Sequence, residues 1–270
     1  MQSAASDLVL LEAAAREAGA LARELLQKPL DVRSKGDAGP VTNIDLAVDA
    51  LLSERLRQAR PEYGWLSEES PDEPGQRVGK ARTFMIDPID GTGALVVKQP
   101  QWTISIGVVE GDRAFAGVVY NPMTDEMFVG APGASATLNG RGMRASLRDS
   151  LDGARMIGQV NRFGAKRWKN PWPKMDIIER QSIAYRLALV AAGQGDATVL
   201  FGFKHDWDVA AGAALVEAAG GKITDLWGET LRFNQQQPRT PGVAAAGAPL
   251  HALLIERTSA FPDPRQNTQI

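Results

Sequence analysis

Two aspartates, Asp87 and Asp90, flank a Pro-Ile pair in "MIDPIDGTGALV" (residues 85–96). The apolar run before them predicts a strand that delivers Asp87 to its C-terminal edge. Pro88 would bend the chain and return Asp90 beside Asp87. Carboxylates held this close repel one another unless a divalent cation lies between them, and the Ile89 carbonyl can face the same ion. Gly91 and Thr92 then present backbone N–H groups where a helix begins, a ready anion site. A cation beside amide donors is what a phosphate monoester needs. Taken alone, the stretch is equally a helix start in which Asp87 caps and Asp90 sits on the first turn.

Three further acidic stretches bear on that choice. "LSEES" puts Glu68 and Glu69 at the end of a strand, "VTNID" puts Asp45 on the first turn of a helix, and "HDWD" puts Asp208 at the start of another. Each has a plain alternative as a solvated strand end, a helix-start acid or an N-cap. The sequence has no cysteine and only two histidines, His205 and His251. Thiolate sites are excluded and imidazole is scarce, so a working metal would be a hard cation held by oxygen, Mg²⁺ first.

These acids must be carried by particular elements. Apolar residues at Leu8, Leu11, Ala15, Ala18, Ala22 and Leu25 predict a helix over 7–27, closed by Pro29. "SKGDAGP" (34–40) reads as a loop, and a second helix starts near Ile44 with Thr42 or Asn43 as its cap. Short strands are expected at 63–67 and 83–86, followed by a hairpin of "TISIGVV" and "AFAGVVY" about Glu110–Arg113. Further helices are expected around 182–196 and 207–221, the second stopped by Gly220 and Gly221. The tail from Phe261 reads as loosely attached. Two units are expected, an N-terminal α+β domain over 1–145 with most metal ligands and a C-terminal α/β domain over 146–270 supplying Asp208.

A net charge of -2 gives no global attraction to nucleic acid or anionic membrane. The opening residues lack a basic, apolar leader pattern, and no apolar run reaches the length of a spanning helix. The cytoplasm is the expected compartment.

Together "EES", "DPIDGT" and "WDVAAGAALVEAAGG", in this order and spacing, resemble the inositol monophosphatase superfamily of Mg²⁺-dependent, lithium-sensitive phosphatases. The resemblance covers most of the chain. It implies a layered αβαβα sandwich of mixed α/β and α+β character, a homodimer, and hydrolysis of a small phosphorylated substrate with two or three Mg²⁺. A first ion would lie on Glu68, Asp87 and the Ile89 carbonyl, a second between Asp87, Asp90 and Asp208, and a weaker third would share Glu68 with waters. Glu68 and Thr92 would orient the attacking water with Asp45 behind the Thr92 hydroxyl, and the Gly91 and Thr92 amides would hold phosphate oxygens. The sequence departs from the family at Ser67, where glycine is common, and at Gly93, Ala94 and Leu95 after the motif.

The substrate is read from the second half. Phe201 stands where inositol monophosphatases carry a glutamate for polyol hydroxyls. "SKGDAGPVTNID", with Lys35, resembles instead the 3'(2'),5'-bisphosphate nucleotidase branch, with Arg186, Lys204 and His205 as substrate-binding candidates and adenosine 3',5'-bisphosphate as the expected substrate. Arg186 is otherwise a snorkelling helix residue and Lys35 a solvated charge. The loop 162–174 carries Arg162, Lys166, Arg167, Lys169, Lys174 and two tryptophans. It reads as an exposed connection or dimer contact, or as a cover that stacks on a base. Two alternatives stand beside the nucleotidase reading: an inositol-1-phosphate phosphatase, and an accessory binding protein in RNA synthesis.

Overall fold

The computed structural model describes residues 2–36, 39–164, 168, 170–263 and 265. In chain order the helices and strands are α1 (Ala4–Leu25), β1 (Val32–Ser34), β2 (Pro40–Thr42), α2 (Asn43–Ala59), β3 (Gly64–Ser67), α3 (Pro74–Arg77), β4 (Arg82–Asp90), α4 (Thr92–Val96), β5 (Thr103–Glu110), β6 (Arg113–Asn121), β7 (Glu126–Gly130), β8 (Thr137–Leu138), β9 (Arg141–Gly142), β10 (Arg155–Ile157), β11 (Asp176–Ile178), α5 (Ile183–Ala191), β12 (Ala197–His205), α6 (Asp206–Ala218), β13 (Gly221–Thr224), β14 (Arg239–Gly247) and α7 (Ala248–Thr258). A seven-stranded sheet runs in the order β3-β4-β5-β6-β7-β8-β9, and a five-stranded sheet in the order β11-β10-β12-β14-β13.

The layers follow from which faces are apolar. Helices α1 and α2 bury Leu11, Ala15, Ala18, Ile44, Val48 and Leu52 against Phe84, Ile86, Ile104 and Val118 on one face of the large sheet. Burying a leucine or isoleucine completely is worth about 1.5–3 kcal/mol. The other face, with Met85 and Val119, packs on α5 and α6, which also bury Leu200, Val243 and Ala245 of the small sheet. Helix α7 covers the far side through Leu250 and Leu254. The result is an αβαβα sandwich whose middle helices are buried on both sides. The large sheet lies N-terminal to the expected boundary near 145 and the small sheet C-terminal to it, but α5 and α6 join them in one core.

Helix α6 reaches the large sheet because the facing side chains are absent. A Cβ at Gly117 of β6 would lie 2.3 Å from the Ala211 carbonyl oxygen, and one at Gly107 of β5 would lie 2.9 Å from the Ala211 amide. Only glycine permits this approach, and it holds Ala210 and Ala211 of α6 directly against β5 and β6.

Several local expectations change. Strand β4 continues through "DPID" instead of ending before Pro88. Helix α1 starts at Ala4, α5 ends at Ala191, and α6 starts at Asp206 with His205 at its cap position. Strand β14 and helix α7 had no counterpart in the sequence reading. Ala244, Ala245 and Ala246 are poor strand formers, but both faces of β14 are buried and packing overrides propensity.

Lys166, Arg167 and Lys169 of the basic loop lie outside the described residues, as do Asp37 and Ala38. The loop's Trp168 and Trp172 face inward. They pack edge to face on each other at 5.1 Å, and Trp168 meets Phe201 at 5.7 Å and Phe261 at 5.9 Å. These rings are occupied by one another, so an exposed stacking platform does not form there. Phe261 is held in this cluster, and Arg265 pairs with Asp225 at 2.9 Å. The start of the tail is therefore attached, contrary to expectation.

Candidate metal and phosphate site

In a regular strand, residues three apart point to opposite faces. Asp87 pairs with Ser105 and Asp90 with Thr103, so three steps on β4 match two on β5. That bulge at Pro88 places both aspartates on the α6 side, while Ile86 and Ile89 stay in the core toward α1 and α2. Asp208, the third residue of α6, completes the group. One oxygen each from Asp87, Asp90 and Asp208 lies within 4.8 Å of the others. All three are buried to within a few per cent or half-buried, and none pairs with a described Lys, Arg or His.

Their electrostatics reflect that crowding. Burial, then the charges of Glu68, Asp90 and Asp208, holds the Asp87 carboxyl well above the ordinary range. Asp208 is raised likewise by burial, then by Asp90 and Glu68. Asp90 is pushed up by burial to about 6, although the Ser182 hydroxyl and the Ala184 amide pull against this by donating to its Oδ2. Asp87 Oδ1 accepts the Ile89 N–H at 3.0 Å, and Asp208 Oδ2 accepts the His205 N–H at 3.1 Å. Asp208 therefore helps cap α6 from inside its first turn and still belongs to the cluster; the two readings of "HDWD" are compatible.

The donors fit a hard cation. They are three carboxylates, with no thiolate or imidazole among them, and their mutual repulsion supplies a reason to bind positive charge. Glu68 lies outside the tight trio. Its Oε1 pairs with Lys35 Nζ at 2.7 Å, and Glu69 pairs with the same amine at 2.8 Å. Burial pulls Lys35 down, but these two partners outweigh it and the amine is raised. Lys35 is thus no solvated loop charge.

Thr92 Oγ1 lies 2.8 Å from Asp45 Oδ1 and 3.0 Å from the Ile89 carbonyl. Its single proton goes to one at a time, and the carboxylate is the stronger acceptor. Asp45 is raised by burial despite bonds from Thr42 and Thr92. Gly91 has φ 97°, and a Cβ there would meet the Gln101 carbonyl at 3.0 Å, so the turn into α4 requires glycine. At five residues α4 is too short for a useful macrodipole, and what it offers is local amide donors. Ser67 donates to Asp49 on α2, which also accepts Ser70 at 2.8 Å; the departure from glycine anchors this strand end.

The other substrate candidates are not on the trio. Arg186 and Lys204 line an adjoining cavity of about 220 Å³ with Gln159, Arg162, Gln181 and Phe201. Arg186 Nε donates to the Arg180 carbonyl at 2.7 Å, and Lys204 Nζ to the Phe201 carbonyl at 2.8 Å. Burial lowers the pKa of both. His205 stands apart, its ring stacked on Trp207 at 4.3 Å, and burial lowers its pKa. Sequence reasoning missed Ser182 and the head of α5 as partners of Asp90. Serine before an apolar helical run signals a cap, but nothing local says that the cap also serves an aspartate ninety-two positions earlier.

Residues 5–261 match the Inositol monophosphatase family. The chain belongs to that family. It is an enzyme of the metal-dependent phosphoric monoester hydrolase type that the family comprises. Among its relatives, inositol-1-monophosphatase of Caulobacter vibrioides is 32% identical, over 93% of this chain and 100% of that protein. Nus factor SuhB of Escherichia coli K12 is 33% identical, over 80% of this chain and 83% of that protein. The fold is also that of the extragenic suppressor protein suhB from Bartonella henselae, with a TM-score of 0.81 at 26% identity, covering 95% of this chain and 100% of that one. Among the described residues no helix is long and apolar enough to cross a membrane.

Proposed function

We propose that the enzyme hydrolyses a small phosphate monoester of the inositol 1-phosphate class, using Mg²⁺ held by Glu68, Asp87, the Ile89 carbonyl, Asp90 and Asp208. The observation that carries this reading is the convergence of three carboxylates from β4 and α6, to which no Lys or Arg among the described residues is paired. Bound Mg²⁺ supplies an acidified water and positive charge for the oxygens of an in-line displacement. Two ions would use these ligands in full, and a third would share Glu68.

The chain's own groups position and move the proton. With its hydroxyl proton on Asp45, Thr92 Oγ1 keeps lone pairs for a proton of the attacking water. Glu68 is the acceptor carboxylate for that water, and Lys35 holds its outer oxygen. The Gly91 and Thr92 amides donate to phosphate oxygens.

The inositol 1-phosphate class draws its support from the full-length likeness to the Caulobacter enzyme and takes precedence over the nucleotidase reading. A specific observation keeps adenosine 3',5'-bisphosphate as the second reading: among the described residues the adjoining cavity has Phe201 and the cations Arg162, Arg186 and Lys204, and no carboxylate. A polyol would find few acceptors there, and a second phosphate would find charge. A binding role in RNA synthesis beside catalysis draws support from relatives named Nus factor SuhB.

Phosphate release from inositol 1-phosphate, adenosine 3',5'-bisphosphate and fructose 1,6-bisphosphate, with Mg²⁺ and with excess chelator, tests the reading. Turnover of inositol 1-phosphate in Mg²⁺ alone is expected. A preference of about 10- to 150-fold for the nucleotide, the worth of one charge-assisted contact, would favour the second reading. Undiminished release in chelator would overturn the metal assignment.

A further inference from the structure

The trio of carboxylates is assembled from two elements that their own charges push apart. Asp87 and Asp90 stand on β4, Asp208 stands on α6, and no strand pairing or helix turn joins the two. What ties the two elements together lies near the start of β4, where the guanidinium of Arg77 is completely buried.

Arg77 donates to both oxygens of Asp72, at 2.6 and 2.7 Å. Its Nη1 donates to Asn234 Oδ1 and to the Gln235 carbonyl, each at 3.0 Å. Asn234 then reaches in two directions. Its Nδ2 donates to Thr83 Oγ1 on β4 at 3.1 Å, and its backbone N–H donates to Asp206 Oδ2 on the first turn of α6 at 2.7 Å. The Asp206 N–H is fixed in turn on the Pro238 carbonyl at 3.0 Å. Thr83 lies four residues before Asp87, and Asp206 two before Asp208. One buried asparagine, aimed by one buried arginine, therefore grips both carriers of the cluster.

The local backbone is shaped for this grip. Asn234 adopts the left-handed conformation at φ 59°, which turns its amide and side chain to different elements. Gly64 on β3 leaves the space: a Cβ there would lie 2.6 Å from Thr83 Oγ1 and 2.9 Å from Arg77 Cα. A fully buried guanidinium is a poor stabiliser compared with apolar packing, because desolvation offsets most of the attraction. Its use is to fix geometry.

We propose that Arg77 and Asn234 are positioning residues that clamp β4 to the first turn of α6 and so set the spacing of the cation-binding carboxylates. The inference rests on the ligand assignment above. Groups that orient metal ligands from outside typically change affinity by about 10- to 100-fold when lost.

Two variants cut the clamp at different points without leaving a buried charge alone. Asn234→Gly tolerates the left-handed backbone and keeps the bond to Asp206. Thr83→Val removes the hydroxyl that accepts from Asn234 and donates to the Arg77 carbonyl at 3.4 Å. Mn²⁺ affinity by calorimetry and melting in chelator should be measured for both, for the double variant and for Asp87→Asn, all at a temperature where circular dichroism shows the native fold. Each single variant should weaken Mn²⁺ binding about tenfold. The double variant should bind much like Asn234→Gly alone, because the two changes break the same hydrogen bond. Melting points that fall while affinity stays within twofold of wild type would make the network purely structural and overturn the proposal. If Asn234→Gly does not fold, Thr83→Val alone decides. Unchanged affinity in Asp87→Asn would overturn the ligand assignment first and the clamp with it.

Discussion

Strand β4 buries acids at both of its ends and treats them oppositely. At its start, Asp7 of α1 is wholly buried, and the chain surrounds it with Arg60 at 3.0 Å, Arg82 at 3.0 Å and the Tyr63 hydroxyl at 2.8 Å. At its end, Asp87 and Asp90 meet Asp208, and no Lys or Arg among the described residues pairs with them. The first arrangement is complete within the fold and ties α1 to the large sheet. The second is, on the proposed assignment, completed by a cation from solution. Burial of an acid alone therefore says little about its use, and what decides is whether the chain brings its own counter-charge.

The comparison breaks first at Asp208. Asp208→Asn keeps a capping side chain, because asparagine caps about as well as aspartate. It removes one charge from the cluster. Phosphatase activity at ordinary Mg²⁺ should fall by more than the roughly 10- to 100-fold that an outer-sphere loss costs, while the melting point in chelator stays level or rises. A Mg²⁺ titration of activity and a melt in chelator check both halves. Activity equal to wild type at low Mg²⁺ would reduce Asp208 to a cap.

Asp7→Asn should do the reverse. Removing one partner of a buried ionic group strands the others and costs about 3–5 kcal/mol. Denaturant unfolding should show that loss, and the Mg²⁺ dependence of activity in the folded protein should not change. An altered Mg²⁺ dependence would mean that the ionic group around Asp7 acts on the cation site through Arg82, beside Thr83 of the clamp.

The smallest effect belongs to neither end. His251 is buried beside Thr224, 3.1 Å from its hydroxyl, and burial holds its pKa below 6.5. A base lowered on folding is neutral in the native state while the unfolded chain gains a proton first. Its stabilising contribution is therefore present above about pH 6.5 and is lost as pH falls below that value. His251→Gln should flatten this slope in stability measured between pH 7 and 5. An unchanged slope would assign it to His205, the other histidine whose pKa burial lowers.

Much of this was legible along the chain. "DPIDGT" announced paired carboxylates, Thr42 or Asn43 was expected as the cap of α2 and Thr42 is that cap, and the run after "WD" announced a helix. The bulge was not legible. Without it Asp87 and Asp90 would face opposite sides of β4, and the proline that causes it reads equally as a strand end. Nor was the pairing of Lys35 with Glu68 and Glu69, which joins residues more than thirty positions apart. Phe201 was read as a substituted site residue, but it also belongs to an aromatic cluster with Phe163, Trp168 and Phe261. Such contacts depend on how the two sheets are stacked, and local pattern carries little of that.

The account rests on Asp87, Asp90 and Asp208 forming one cation centre. Mn²⁺ shares the oxygen preference of Mg²⁺ and scatters anomalously, so diffraction from crystals grown with Mn²⁺ tests this directly. The account predicts an anomalous peak at coordinating distance from all three carboxylates, absent from Asp208→Asn crystals or weakened there. A well-ordered trio with no peak among its oxygens, in crystals that hold Mn²⁺ elsewhere, would contradict it.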